Sequence, residues 1–281
     1  MPQGQGSGGS DGSGVTADRD ATAEALGSIA AEAGRLLAAV ADRRGGHRVK
    51  ADGSATTDAD TGAERLILDR LARSWPAIPV VAEESGVSGQ PGQVFFLVDP
   101  LDGTSDFLDG GSEYSVNIAL VDGTRPVACA LAAPGQGRIW VAGTRARVAE
   151  ITPDGPAEWR PVRSRPFPAS GAVALGSRRH GDPDTDACLA ALGIGTVRTL
   201  SSAAKFGAIA SGEADVYVRC GPTMEWDTAA GDHLVACAGG TVVGPDGRPL
   251  AYGRADRGYL NGPFAALGDP AWAGRVALPA R

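Results

Sequence analysis

The stretch Val94-Phe95-Phe96-Leu97-Val98-Asp99-Pro100-Leu101-Asp102-Gly103-Thr104 decides how this chain is read. Val94 to Val98 is a continuous apolar run, the pattern of a strand buried on both faces. The polarity then reverses. Asp99 and Asp102 stand where the run ends, and strand ends are where α/β folds bind ligands. Pro100 fixes the turn between them, so both carboxylates and the Leu101 carbonyl can aim at one point. Gly103 lets the backbone come close to a ligand. Thr104 offers a hydroxyl and an N–H where the chain enters a helix, which suits a phosphate oxygen. Taken alone, the same residues also read as a solvated Asp-Gly turn.

Upstream of this stretch, Thr16 to Asp42 is Ala-rich, with Leu26, Ile29, Ala33, Leu36, Leu37 and Val40 on one face at helical spacing. A second helix is expected from about Asp60 to Ser74, ended by Pro76 and Pro79. Val80-Val81 leads into Ala82-Glu83-Glu84-Ser85. Downstream, Tyr114 to Val121, Val127 to Ala132 and Arg138 to Val141 read as further strands. The Pro-rich stretch Thr152 to Pro168 marks a boundary between halves 16–150 and 151–281. In the second half, strand, helix and strand alternate, and a helix from about Asp227 to Ala238 precedes a short strand at Thr241 to Val243. The expected class is α/β, with helices layered on sheets.

Composition narrows the partners. The chain has 281 residues and a net charge of −7. An acidic surface argues against a nucleic-acid polymer, which is gripped by Lys and Arg. A small phosphorylated substrate remains open if metal ions supply positive charge. Four scattered cysteines make neither a zinc framework nor a disulfide scaffold and read as reduced thiols of a cytoplasmic protein. No apolar run approaches the ~20 residues of a membrane-crossing helix. Residues 1–15 are rich in Gly and Ser, lack the regions of a signal peptide and read as a disordered tail. Gly4, Gly6 and Gly9 match a dinucleotide fingerprint in spacing only, since no strand precedes them.

Three more acidic stretches lie at element ends: Glu83-Glu84, Asp58-Ala59-Asp60 at a helix start, and Asp227 after Trp226. Each has an ordinary explanation as a solvated loop or a helix cap. Together with Asp99 and Asp102 they form four acidic sites that one sheet can gather into one cleft. Hard oxygen donors of this kind select magnesium over zinc. A two-metal site activates a water and stabilises the leaving oxygen of a phosphoryl displacement.

Ala82-Glu83-Glu84-Ser85, Asp99-Pro100-Leu101-Asp102-Gly103-Thr104 and Trp226-Asp227-Thr228-Ala229-Ala230-Gly231 resemble the three signatures of the inositol monophosphatase superfamily, magnesium-dependent and lithium-sensitive phosphomonoesterases. The likeness runs from about Asp20 to the C-terminal region. It is closer to the 3'(2'),5'-bisphosphate nucleotidases of the CysQ type, through Lys50-Ala51-Asp52-Gly53-Ser54, Val116-Asn117-Ile118-Ala119-Leu120, Ser177-Arg178-Arg179-His180, Ser202-Ala203-Ala204-Lys205-Phe206, Tyr217 to Thr223 and Tyr259-Leu260-Asn261.

The resemblance implies an α/β/α/β/α layered sandwich with the metal cleft between its halves. The first half would hold most metal ligands, and the second would complete the metal and nucleotide site. It implies removal of the 3'-phosphate from 3'-phosphoadenosine 5'-phosphate, and from its 5'-phosphosulfate counterpart, in sulfate assimilation. Glu83, Asp99, Asp102, Asp227 and the Leu101 carbonyl would hold two or three Mg2+ ions and border the substrate. Asp60 and Thr104 would orient and deprotonate the attacking water, and the N–H groups of Gly103 and Thr104 would bind phosphate. Ser202, Lys205 and Arg219 match nucleotide-holding positions, and His180 one beside the base. A second phosphate needs its own cations, which Lys205 and Arg219 can provide. Lys205 can equally be a snorkelling helix residue, and His180 part of a plain surface loop. The expected assembly is a monomer or homodimer.

The chain departs from the nucleotidase pattern at Ser105-Asp106, where Lys-Glu is common. It lacks the acidic residue near Arg219-Cys220 with which inositol-specific relatives grip the polyol. The competing activity is an inositol- or sugar-phosphate monophosphatase. A non-catalytic nucleotide-binding protein would need a lost ligand or a lost Thr-Asp dyad, and neither is lost.

Overall fold

The computed structural model describes residues 13–41, 47–49, 55–88, 91–178 and 181–280. The stretch Lys50 to Ser54, His180 and residues 1–12 of the expected tail lie outside them. Seven α-helices are described: α1 (Ser13–Ala17), α2 (Arg19–Ala41), α3 (Asp58–Ser74), α4 (Thr104–Leu108), α5 (Pro183–Ala191), α6 (Ala204–Ala210) and α7 (Glu225–Cys237).

Two sheets carry the fold. The first has nine strands among the described residues. From one edge the order is Gly155–Pro156, Ala146–Thr152, Arg138–Ala142, Arg125–Ala133, Ser115–Asp122, Val94–Asp102, Val80–Ala82 and Gly86–Ser88, with Arg160–Pro161 also on Ala146–Thr152. Only Val80–Ala82 and Val94–Asp102 run parallel. The second sheet has five strands in the order Thr196–Thr199, Val173–Gly176, Val216–Arg219, Phe264–Leu267 and Thr241–Val243.

Helices fill the spaces around them. The stripe Leu26, Ile29, Ala30, Ala33 and Leu37 of α2 packs with Ile67 and Leu71 of α3 onto one face of the first sheet. Asp18 caps α2, its Oδ1 accepting from the Ala21 N–H at 3.0 Å. The other face shares a core with α6, α7 and the second sheet. Beyond that sheet, Cys188 and Leu189 of α5 cover Val216 and Val218. The layers are α/β/α/β/α, as the resemblance implies.

The middle layer is tight. A Cβ on Gly231 of α7 would lie 2.2 Å from Phe206 Cγ of α6, so only glycine lets these helices approach. That contact accounts physically for the glycine closing Trp226 to Gly231.

Three expectations change. Residues 13–15 open α1 instead of ending a tail; Val15 is buried and its carbonyl accepts the Thr22 hydroxyl at 2.9 Å. A cut at 150/151 falls inside the strand Ala146–Thr152, and Arg160–Pro161 still belongs to the first sheet, so the second half begins beyond it. The strand Phe264–Leu267 was not anticipated, because Phe-Ala-Ala-Leu has no β-branched residue to mark it. It is antiparallel to both neighbours, Val216–Arg219 and the edge strand Thr241–Val243.

Candidate active site

Between the halves opens a cleft of about 540 Å³. Glu83, Asp99, Leu101, Asp102, Gly103, Thr104, Ser202, Lys205, Arg219 and Asp227 all line it. Asp60 reaches it through Thr104, whose Oγ1 lies 3.2 Å from Asp60 Oδ1 and 3.0 Å from the Leu101 carbonyl. His180 lies outside the described residues.

The acidic wall comes from strand geometry. The expected turn at Asp99 to Asp102 is instead a bulged strand end. Asp99 pairs with Asn117 and Asp102 with Ser115, so three steps on one strand meet two on its neighbour. In an unbroken strand, residues three apart face opposite ways; the extra residue returns both carboxylates to one face. Val80–Ala82 runs parallel beside this strand, and the Glu83 N–H donates to the Val98 carbonyl at 3.1 Å, which sets Glu83 next to Asp99. Gly103 has φ +90°, and a Cβ there would stand 3.0 Å from the Glu113 carbonyl.

Asp227 sits in the first turn of α7, three residues beyond Met224, whose N–H it accepts at 2.8 Å. Burial first, then Asp102 and Glu83, push its pKa up to about 8. Asp99 is held well above the usual carboxylate range by burial and then by Glu83, Asp102 and Asp227. As they lie, no three acidic side chains of the described residues close on one point as a metal cage.

The opposite wall differs. Lys205 is 2% exposed, so it does not snorkel to the surface. Its ammonium donates to the carbonyls of Leu200 (3.0 Å) and Ser202 (2.7 Å), and burial pulls its pKa down to about 8. The loop it grips holds Ser202 at φ +61°, sends the Ala203 N–H to Asp102 Oδ2 and the Ser201 N–H to Glu113 Oε2. Arg219 donates to the Pro222 carbonyl at 3.1 Å, while its Nε is buried with no partner among the described residues.

Sequence reasoning missed two supports. Glu64, buried one turn beyond Asp60 on α3, accepts the Glu84 N–H at 2.9 Å and so anchors the turn that carries Glu83; the i,i+4 spacing from Asp60 was the available signal. Glu113 joins the halves, accepting from Arg178 Nη2 at 2.9 Å as well as from Ser201. No signal in the chain marked it. Asp106, at the departure from the nucleotidase pattern, turns its Oδ2 to the Glu113 N–H at 3.2 Å. The four cysteines carry no disulfide, although Cys188 and Cys220 stand 3.9 Å apart.

The family model for the inositol monophosphatase family matches residues 18–273. The chain belongs to the inositol monophosphatase family. It is 36% identical over 216 residues to the 3'(2'),5'-bisphosphate nucleotidase CysQ of Escherichia coli O6:H1, covering 72% of this chain and 81% of that one. The Haemophilus influenzae protein of that name is 28% identical over 253 residues, covering 86% and 90%. The crystal structure of CysQ from Bacteroides thetaiotaomicron, a bacterial member of the family, superposes with a TM-score of 0.74 at 29% identity, covering 89% of this chain and 98% of that one. The Thermotoga maritima family member shares the fold at 21% identity and a TM-score of 0.71. Among the described residues, no helix is long and apolar enough to cross a membrane.

Proposed function

We propose that this chain is a magnesium-dependent 3'(2'),5'-bisphosphate nucleotidase that hydrolyses 3'-phosphoadenosine 5'-phosphate to AMP and phosphate. The observation that carries this reading is the pair of unlike walls. An oxygen-only acidic wall faces one phosphate, and Lys205 and Arg219 stand across the cleft for another. The names of the relatives point the same way.

The donor set fits a hard divalent cation. It offers carboxylate and carbonyl oxygens, and Asp99 and Asp227 are raised first by burial and then by the neighbouring carboxylates, a repulsion that positive charge relieves. Glu83, Asp99, Asp102, Asp227 and the Leu101 carbonyl would hold the ions. Bound there, magnesium supplies positive charge for the phosphoryl oxygens and makes water more acidic.

The chain's own groups do the rest. Thr104 donates its hydroxyl to Asp60 and turns its lone pairs to the attacking water, which orients it for proton loss. Gly103 and Thr104 direct N–H groups at the scissile phosphate. Arg219, with an unmet Nε, is the cation best placed for the 5'-phosphate. Ser202 and Lys205 shape that side, Lys205 adding charge while it pins the loop. The water's oxygen bonds to phosphorus, the bond from phosphorus to the ribose 3'-oxygen breaks, and the proton the water gives up ends on that leaving oxygen, so AMP and phosphate balance the adenosine bisphosphate and water.

The test is phosphate release from 3'-phosphoadenosine 5'-phosphate, inositol 1-phosphate and fructose 1,6-bisphosphate with Mg2+, side by side. The adenosine bisphosphate is expected to have the highest kcat/KM. Preference for either of the others assigns the chain to the polyol or sugar phosphatases of the family.

A further inference from the structure

The strand Ser115–Asp122 lies beside the acidic wall, antiparallel to Val94–Asp102. Its register sets Asn117 opposite Asp99 and Ser115 opposite Asp102. Residues directly opposed in this way share a face and hold their Cβ atoms about 4.5–5.5 Å apart. Further along, the same face is apolar, with Ala119 and Val121 in the core between the sheets. The two polar residues therefore interrupt an apolar stripe where it passes beneath the carboxylates.

Ser115 is fully buried and donates its hydroxyl to Asp102 Oδ2 at 3.4 Å. Asn117 is 1% exposed, and neither its Nδ2 nor its Oδ1 meets a hydrogen-bond partner among the described residues. A buried amide with both ends unmet is a standing cost that an apolar side chain of the same size would avoid. Asp99 beside it has one oxygen on the Leu101 N–H at 3.0 Å.

We infer that Asn117 and Ser115 are positioning residues for the cation site. Ser115 steadies Asp102 through Oδ2, and Asn117 gives its amide N–H to Asp99 when that carboxylate turns to a divalent cation. The inference rests on the reading of Asp99 and Asp102 as metal ligands. Carboxylates that ligate metals are themselves hydrogen-bonded, and loss of such a partner costs about 10–100-fold in metal affinity.

The test uses the full chain with Mg2+ alone as probe, its affinity read by calorimetry and by the Mg2+-dependent rise in melting temperature. For Asn117→Leu the expectation is an unchanged or higher melting temperature without metal, and a Kd for Mg2+ raised about 10–100-fold. Ser115→Ala is expected to weaken Mg2+ in the same direction, and Ser115→Thr, which keeps the hydroxyl, to bind like the parent. Asp99→Asn runs alongside. If Asp99→Asn binds Mg2+ as the parent does, the metal-site reading itself fails. If Asp99→Asn loses Mg2+ while Asn117→Leu and Ser115→Ala keep parental affinity, the positioning role fails and the metal-site reading stands. A lowered metal-free melting temperature with unchanged Mg2+ affinity makes Asn117 a packing residue and overturns the inference.

Discussion

Across the cleft, the wall built by the first sheet sets Glu83, Asp99 and Asp102 side by side, with Asp227 closing the group from α7. The facing wall buries one cation, Lys205, and meets it at once with the carbonyls of Leu200 and Ser202. The first wall is left in electrostatic tension, shown by the upward shifts of Asp99 and Asp227. The second is largely satisfied from within. The difference teaches where each wall directs its charge: the acidic wall toward the cations it is proposed to hold, the basic wall first toward its own loop. Asp99 and Lys205 are both buried, so burial alone does not tell a binding group from a structural one; the partner does.

The largest expected effect comes from the acidic wall. Asp102→Asn keeps the shape but removes a negative oxygen from the proposed cation site, and kcat for 3'-phosphoadenosine 5'-phosphate should fall about 10³-fold, the several kcal/mol that such metal contacts are worth. The metal-free melting temperature should hold or rise, since one like charge leaves the group. Near-parental turnover at saturating Mg2+ would dissolve the contrast between the walls.

The next effect compares two positions on α7. At one end Asp227 has a raised pKa, so its contribution to metal-free stability is present below the ordinary carboxylate pKa and is lost as pH rises toward about 8. Further along, His233 is buried, its Nε2 2.9 Å from the Gly143 carbonyl, and burial pulls its pKa down to about 4. Its contribution is present above the ordinary histidine pKa and is lost as pH falls from about 6.5 to about 4, amounting to about 3 kcal/mol. Denaturation of parent, His233→Gln and Asp227→Asn across pH 4–8 without metal separates the two. Asp227→Asn should lessen the fall in stability as pH rises across 4–8, and His233→Gln should remove the opposing rise between about pH 4 and 6.5, leaving the fall steeper on the acid side. Parallel curves for all three would refute both assignments.

Within the basic wall, the two cations should part company. Arg219→Met should lower kcat/KM for the adenosine bisphosphate by about 10- to 100-fold, the worth of charge-assisted hydrogen bonds of roughly 1.5–3 kcal/mol, with little change on a plain monophosphate. Lys205→Met strands two carbonyls and frees Ser202, so it should lower both activities and the melting temperature together. Equal losses on both substrates for Arg219→Met would remove its claim on the second phosphate.

The smallest effect lies outside the cleft. Arg70 and Glu32 form a half-exposed pair at 2.7 Å. Glu32→Gln should cost about 0.2–1 kcal/mol in chemical denaturation and nothing in kcat. A larger cost would mean that ion pairs, rather than the apolar layers, hold α2 to α3.

Much of the acidic wall was legible in the chain. Asp99, Leu101, Asp102, Gly103 and Thr104 are contiguous, and an apolar run followed by a sudden pair of carboxylates marks a strand end by itself. Glu83 and Asp227 were legible as acidic residues at element ends, and the motif likeness placed them in one group. Most helices were legible too, because α2 and α3 carry long apolar stripes. Other features were not. That Asp99 and Asp102 share a face depends on a bulge against Ser115 and Asn117, and nothing in Asp-Pro-Leu-Asp distinguishes that bulge from a turn.

What the sequence by itself determined is the local chemistry: which oxygens stand at strand and helix ends, where glycine permits close approach, and the layering of apolar stripes on buried strands. These follow from periodicity and from residues a few positions apart. The tertiary structure alone decided which distant groups meet. It brought Ala203 to Asp102 and Ser201 to Glu113 across the two halves, slotted Phe264–Leu267 into the second sheet, and gave the Lys205 ammonium to two loop carbonyls. Such contacts depend on how two sheets stack through α6 and α7, a long-range packing choice that no short window of sequence records.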